Sequence, residues 1–313
     1  MQKTFSLALV GAALLFGSVS MPAISLAAEP GVEEYVGEVP TAFANPEDAM
    51  AALKAGLDAT DVDELAKLLG LEPAKLKSAE GLADRLAEIK DGASELITIE
   101  SDGDTRIISI GREVWPFPFP VVKGDDGKWS FDTYAGLEEI VNRRVGENEL
   151  QAIATARLYV EAQRDYAAED RDEDGVLEFA QKLISSEGTM DGLYWPIEQG
   201  DGTSPLGPNL DEAALDKAAQ GKGYFGYKYR ILQEQGDNVA GGKYNFVING
   251  NMIAGFGLIA YPANYPFSGV STFVVNHAGI VYEKDLGDDT AAVADKIVSF
   301  DPDNTWEVVN EEP

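Results

Sequence analysis

The 313-residue chain contains no cysteine and a single histidine, His277. Without cysteine, the chain has no disulfide, no thiolate nucleophile and no cysteine-type zinc site. One histidine excludes sites that need several imidazoles, and no G-x-S-x-G sequence follows residue 27 to suggest a serine hydrolase. The hydrophobic core must therefore be large enough to hold the fold without covalent cross-links.

Basic residues are also scarce, with 24 Lys and Arg against 54 Asp and Glu and a formal net charge of −30. Nucleic-acid binding needs a basic face, and no stretch of the sequence predicts one. An acidic surface of this kind repels anionic lipid and attracts cations. We therefore expect no nucleic-acid partner, and an unidentified envelope protein or small ligand instead.

The N-terminus has the three parts of a secretory signal. Lys3 provides the positive charge, residues 5–16 are apolar, and Pro22 precedes a small-x-small sequence that ends at Ala27. The apolar run is shorter than the roughly 20 residues of a membrane span. We predict a signal peptide over residues 1–27, no transmembrane segment after its removal, and a periplasmic or secreted protein.

The first half of the remaining chain predicts an α+β domain over residues 43–146, after a flexible leader at 28–42. Asn45-Pro46 is typical of a helix start, and two further helices are expected at 61–69 and 78–90, the last ending at Gly92. Strands at 95–101 and 105–110 flank Asp102-Gly103, which is a hairpin signal. Helices followed by an antiparallel meander indicate the α+β class.

The second half, residues 147–313, predicts a long helix packed on a Gly-rich antiparallel sheet. A short helix at 135–145 and a long one at 148–168 are expected on either side of Gly146. Apolar or alternating runs at 227–233, 252–261, 269–275 and 280–286 predict strands, and a last helix is expected at 290–299.

Several sequence blocks resemble known families. The layout of the first half, with its FPFPVV and DGKWSF segments, is similar to the cone-shaped fold of nuclear transport factor 2. The second half resembles the globular part of type IV pilins and pseudopilins. Most of the chain is similar to a bacterial family of unknown function, DUF2950, on the blocks DGLYWP, GYKYRIL, FVINGNMIAGFGLIAYPANYPFSGVSTFVVNHAGIVYEKDLG and FDPDNTW. That resemblance implies export and provides no activity or site.

An acidic segment after the long helix predicts a structural calcium site. Its sequence is DRDEDG, in which aspartates alternate before a glycine, as at the start of an EF-hand loop. The expected ligands are Asp170, Asp172, Asp174, the Val176 carbonyl, Glu178 and Gln181. Gln181 stands where a bidentate glutamate is usual, and a solvated acidic turn is the alternative.

Other candidate residues have simpler explanations. The G-x-G-x-x-G run at 221–226 precedes a strand instead of opening a helix, so close backbone approach in the sheet is favoured over a dinucleotide site. His277 is expected in a hairpin turn. Arg143 and Arg144 are expected to pair with acids, with anion binding as the alternative. The aromatic-proline runs at 115–120 and 194–196 are expected to pack in cores, with a binding surface as the alternative.

These observations favour an exported, non-catalytic protein with a binding or envelope-assembly role and a structural calcium loop. Two alternatives stay open. One is a hydrolase that uses carboxylates in a cleft between the two domains, and the other is a pseudopilin-like component of a pilus or secretion system.

Overall fold

The computed structural model describes residues 32–79, 81–171, 174–198 and 203–310. The predicted signal peptide and the first residues of the predicted leader, 28–31, lie outside the described residues. The described chain combines helices with antiparallel sheets, which confirms the α+β class. Within it, no helix is both long enough and apolar enough to cross a bilayer.

Short helices form the first layer: α1 (Pro46–Ala59), α2 (Val62–Leu69), α3 (Pro73–Lys77) and α4 (Leu82–Glu95). The Asn45 side chain accepts a hydrogen bond of 2.8 Å from the Asp48 N–H, as its position before Pro46 predicts. Helix α4 continues past Gly92, where the sequence predicts an end. Gly92 packs against the sheet, since a Cβ there would lie 3.0 Å from Ile110 Cγ2, so its role is close approach and not termination.

The first sheet is antiparallel and consists of β1 (Ile97–Asp102), β2 (Thr105–Ile110), β3 (Trp115–Pro116), β4 (Val121–Lys123) and β5 (Trp129–Phe131). The order is β1-β2-β4-β5, with β3 paired to the end of β2. The predicted hairpin joins β1 to β2. Leu53, Ile108 and Phe131 are among the side chains that pack into one core between this sheet and the helices.

Helix α5 (Thr133–Tyr166) is continuous over 34 residues, whereas the sequence predicts two helices separated at Gly146. A glycine inside a helix costs about 1 kcal/mol, which packing at both ends can outweigh. Asn148 does not cap a new helix, because its side chain donates a 2.9 Å hydrogen bond to the Ser268 carbonyl in the second half. Helix α5 thus crosses the predicted boundary at 146/147, and the two-domain division itself stays a prediction.

After α5 the structure contains α6 (Glu212–Ala219) and β6 (Tyr227–Leu232), then two small pairs and the rest of a second sheet. The small pairs are β7 (Glu234–Gln235) with β8 (Tyr244–Asn245), and β9 (Val247–Ile248) with β10 (Asn251–Met252). The remaining elements are β11 (Gly257–Pro262), β12 (Ser271–Asn276), β13 (Val281–Asp285), α7 (Thr290–Ala294) and β14 (Glu307–Val308).

The second sheet has the order β14-β13-β12-β11-β6, with every neighbouring pair antiparallel. Helix α5 packs on one face and α7 on the other. Helix α7 is shorter than predicted because the chain becomes extended before Phe300. That buried residue donates to the Glu234 carbonyl at 2.8 Å and accepts from the Gly236 N–H at 3.0 Å. The expected helix-on-sheet packing is present, and the likeness to pilins stays a prediction.

Candidate functional site

A cavity of about 700 Å³ lies at the edge of the second sheet. Thr155 and Leu158 of α5 form one wall, together with Tyr229 of β6. Residues of α6 and of the segment 206–211 also line the cavity, as does Tyr194. The volume falls within the range of about 300–1,000 Å³ that is usual for small-molecule sites.

The cavity extends around β6, because side chains from both faces of the sheet line it. Leu258 and Tyr229 belong to the core under α5. Tyr261 belongs to the core on the opposite face, and Asp295 follows α7 there. All four side chains line the same cavity. Since β6 is the last strand on this side of the sheet, the cavity occupies the space beside it.

The glycine run at 221–226 forms the turn that leads into β6. Gly223 has φ +78°, and a Cβ there would lie 2.6 Å from the Tyr227 carbonyl oxygen. The run makes a tight turn in which Tyr224 and Tyr227 exchange backbone hydrogen bonds of 2.8 and 3.1 Å. The run therefore follows helix α6 and leads into a strand, whereas a dinucleotide-binding loop follows a strand and leads into a helix. Its glycines allow the close backbone approach that the sequence predicts.

The walls are mainly apolar and aromatic, with few polar groups. The rings of Tyr224 and Tyr229 meet edge-to-face at 6.2 Å between centroids. The Tyr229 hydroxyl is buried beside Thr155 without a hydrogen-bond partner of normal geometry among the described residues. Burial raises the pKa of Tyr229 and of Tyr224, so both phenols stay protonated at neutral pH.

Among the described residues, four charged side chains line the cavity, and three of them make hydrogen bonds within the protein. Asp211 caps α6 by accepting from the Ala214 N–H at 2.7 Å, and Asp295 accepts from the Tyr261 hydroxyl at 3.4 Å. Arg230 donates to the carbonyls of Ala294 and Ile297, at 2.7 and 2.9 Å. Lys228 is exposed and makes no ion pair or hydrogen bond with any described residue.

The structure uses the described acids of the predicted calcium loop in local hydrogen bonds. Asp170 accepts from the Gly175 N–H at 2.9 Å. Asp174 accepts from the Val176 N–H at 2.8 Å and from the Asn251 amide at 2.7 Å. Asp172 lies outside the described residues. Among the residues that are described, no three Asp, Glu or His side chains are arranged to hold a metal ion, so the full ligand set remains a prediction.

The segment after this loop, 176–180, forms neither helix nor strand, unlike the helix that follows an EF-hand loop. Phe179 donates its N–H to the Met252 carbonyl at 2.9 Å. The buried Glu178 carboxylate accepts from the Met252 N–H at 2.6 Å. Gln181 donates to the Gly250 carbonyl at 2.7 Å and accepts from Gln233 at 3.2 Å. In this structure, Glu178 and Gln181 fasten the segment to the β9–β10 hairpin.

His277, the single histidine, packs against aromatic rings outside the cavity. His277 follows β12 with its ring against Phe246 and Phe256. Burial, followed by the charge of Arg164, lowers its pKa. It does not line the cavity.

The arginine pair and the aromatic runs hold the fold together. Arg143 pairs with Glu139 at 2.7 Å and stacks on Trp115, and Arg144 donates to the Phe267 carbonyl at 3.3 Å. Trp195 is buried in the core. Tyr194, beside it, lines the cavity, which agrees with the binding surface that the sequence left as the alternative for this run.

Together, the fold and the cavity define an α+β protein with a ligand-sized space at the open edge of an antiparallel sheet. The family model described as "Protein of unknown function (DUF2950)" matches residues 40–309, and the chain belongs to that family. No curated protein and no solved structure shows significant similarity to the chain.

Proposed function

We propose that the protein is an exported, non-catalytic binding protein that holds its ligand in the cavity beside β6. The cavity itself supports this proposal: it is large, mainly apolar and provided with a few polar groups, as ligand sites are. The two carboxylates on its wall, Asp211 and Asp295, already accept hydrogen bonds from the protein. This arrangement favours binding over carboxylate-based hydrolysis.

Two variants of α6 test the binding site. Ala218 lines the cavity, and its exposed neighbour Ala219 does not. Ala218→Trp should fill the space and weaken binding of the amphipathic dye anilinonaphthalene sulfonate at least tenfold, as measured by fluorescence titration. Ala219→Trp is the matched control and should bind the dye like the wild type. Equal affinities in all three proteins would place the dye elsewhere and contradict the proposal.

Export rests on the sequence of residues 1–27 and has a direct test. The full chain, expressed in a Gram-negative host, should be recovered from the periplasm or the medium. N-terminal sequencing of that product should begin at Ala28. Recovery of the uncleaved chain from the cytoplasm would contradict export.

A structural calcium ion in the loop 170–181 is a second part of this proposal. It is supported by the alternating aspartates and by their position after Tyr166, where α5 ends and its dipole is negative. The melting temperature of the exported protein should rise in 1 mM calcium relative to chelator, because a ligand at a hundredfold over its Kd adds about 2.7 kcal/mol. Asp172→Ala should abolish that rise, and a wild type without any rise would rule out the ion.

A further inference from the structure

Strand β6 has unpaired backbone groups on the edge that faces away from β11, and one of the residues concerned, Tyr229, lines the cavity. Its residue Tyr227 lies opposite Pro262, which has no N–H, and exchanges its own backbone hydrogen bonds with Tyr224. Backbone groups in an antiparallel strand point alternately to the two sides. Tyr229 and Ile231 therefore direct their N–H and C=O groups away from β11, as Tyr227 does. No other described segment makes a hydrogen bond to those four groups.

Unprotected edges of this kind are rare, because they can pair with another extended chain. In natural proteins such edges are shortened, covered or blocked. Here Tyr224 covers β6 at Tyr227, and the cavity begins immediately beyond this contact. The space beside Tyr229 is also lined by residues of α6 and of the segment 206–211, so it is a partly enclosed slot.

The two sides of the slot differ in chemistry. Toward α5, an added strand would meet the apolar walls at Leu158 and Leu206 and the ring of Tyr229. Toward α7, it would meet Lys228 and Arg230 together with one carboxylate, Asp295, so cations outnumber anions on this side, and Lys228 has no ion-pair partner among the described residues. Residues of a strand alternate between the two faces. The slot therefore fits a segment in which apolar residues alternate with acidic ones.

We propose that the cavity binds an extended polypeptide segment of another protein, added to β6 as a further antiparallel strand. Its alternating apolar side chains enter the cavity under α5, and a carboxylate between them pairs with Lys228. The inference rests on the proposed binding function and specifies its ligand. A second copy of this chain is a poor occupant, since two molecules of charge −30 repel each other.

The geometry predicts which amides of the peptide are needed. In an antiparallel pair, the residue opposite Tyr229 has its side chain on the same face as Tyr229 and exchanges both hydrogen bonds with it. The apolar residues of the peptide therefore use their amides for binding, and the acidic residues direct theirs away from β6. This alternation is specific to strand addition and would not arise from apolar contact alone.

The probe is a fluorescein-labelled hexapeptide in which valine alternates with glutamate, titrated by fluorescence anisotropy against the exported protein. N-methylation of the valine amides should weaken binding at least tenfold, while N-methylation of the glutamate amides should change the affinity less than twofold. The opposite preference would indicate a parallel strand at the same edge. Equal effects of the two modifications would overturn strand addition.

Protein variants separate this inference from the broader binding function. Ile231→Pro removes one outward N–H and leaves the hydrogen bonds to β11 in place, so it should weaken peptide binding about tenfold and leave dye binding unchanged. Lys228→Gln should weaken binding of this peptide several-fold and have less effect on its glutamine analogue. If the dye binds and Ala218→Trp blocks it, but no peptide binds below 1 mM, the cavity proposal stands and the peptide proposal fails. If neither binds, both fail.

Discussion

Gln163 is a fully buried amide on α5 that fastens the segment after the acidic loop. Its Oε1 accepts from the Ala180 N–H at 2.8 Å, and its Nε2 donates to the Ala180 carbonyl at 2.8 Å. The second hydrogen of Nε2 is donated to the Tyr159 hydroxyl at 3.0 Å. Ala180 is itself buried and has no other backbone partner among the described segments. The Gln163 side chain therefore replaces the hydrogen bonds that a strand or helix would provide.

Gln163→Leu keeps the size of the side chain and removes all three hydrogen bonds. Each bond contributes about 1 kcal/mol, and each buried backbone group left without a partner costs about 1–3 kcal/mol. The N–H and C=O of Ala180 are both left unsatisfied. Added apolar burial by leucine offsets about 1 kcal/mol of this loss. The penalty for the two unsatisfied groups already includes the loss of their bonds, so we expect the free energy of unfolding to fall by about 1–5 kcal/mol.

Urea unfolding, followed by circular dichroism, measures this difference directly. The matched control is Gln151→Leu, an exposed position on the same helix, which should change the free energy of unfolding by less than about 0.5 kcal/mol. A loss below about 1 kcal/mol in Gln163→Leu would refute the reasoning. It would mean that Glu178 and Gln181 hold the segment without help from α5.

Two further predictions concern pH. Burial raises the pKa of the Asp191 carboxyl, but hydrogen bonds from Lys182, the Ser186 N–H and Thr189 outweigh it and hold the pKa well below its ordinary value of 3.8. A depressed carboxyl pKa stabilises the fold above the ordinary value, so Asp191→Ala should cost about 2 kcal/mol at pH 7, and urea unfolding should show this difference shrinking below pH 3.8. In the folded protein, the pKa of His277 is also below its ordinary 6.5. As the pH drops through 6.5, His277 therefore takes up a proton in the unfolded chain before it does so in the folded protein, and the free energy of unfolding falls. Melting curves between pH 5 and 8 should show a smaller fall in His277→Asn, and parallel curves for the two proteins would contradict the buried, neutral imidazole.

Local signals in the sequence account for much of the secondary structure. Asn45 caps α1 and Gly70, with φ +71°, ends α2, because both residues act on their own backbone. The strands β6, β11, β12 and β13 correspond to apolar or alternating runs between turn residues. These features depend on contacts within a few residues, so they can be read without knowing the fold.

The errors occur where distant contacts outweigh local preference. Gly92 and Gly146 stand inside helices instead of ending them, since packing against the sheet or at both helix ends overrides the preference of glycine. Long-range contacts also hold the residues after the acidic loop, which form neither helix nor strand, since Glu178 is bonded to Met252, 74 positions away. No periodicity in the local sequence contains that information.

The candidate site depends most on tertiary structure. The alternation of Tyr227, Tyr229 and Ile231 with Lys228 and Arg230 indicates a strand with two different faces, and this was the available signal in the sequence. The sequence by itself determined an acidic, cysteine-free α+β chain with a predicted export signal, since composition and short-range pattern are sufficient for those conclusions. That β6 lies at the edge of its sheet, next to a space bounded by α5 and α6, was decided by the order in which strands from 227 to 308 pair. Strand order is set by long-range packing, which a local pattern does not encode.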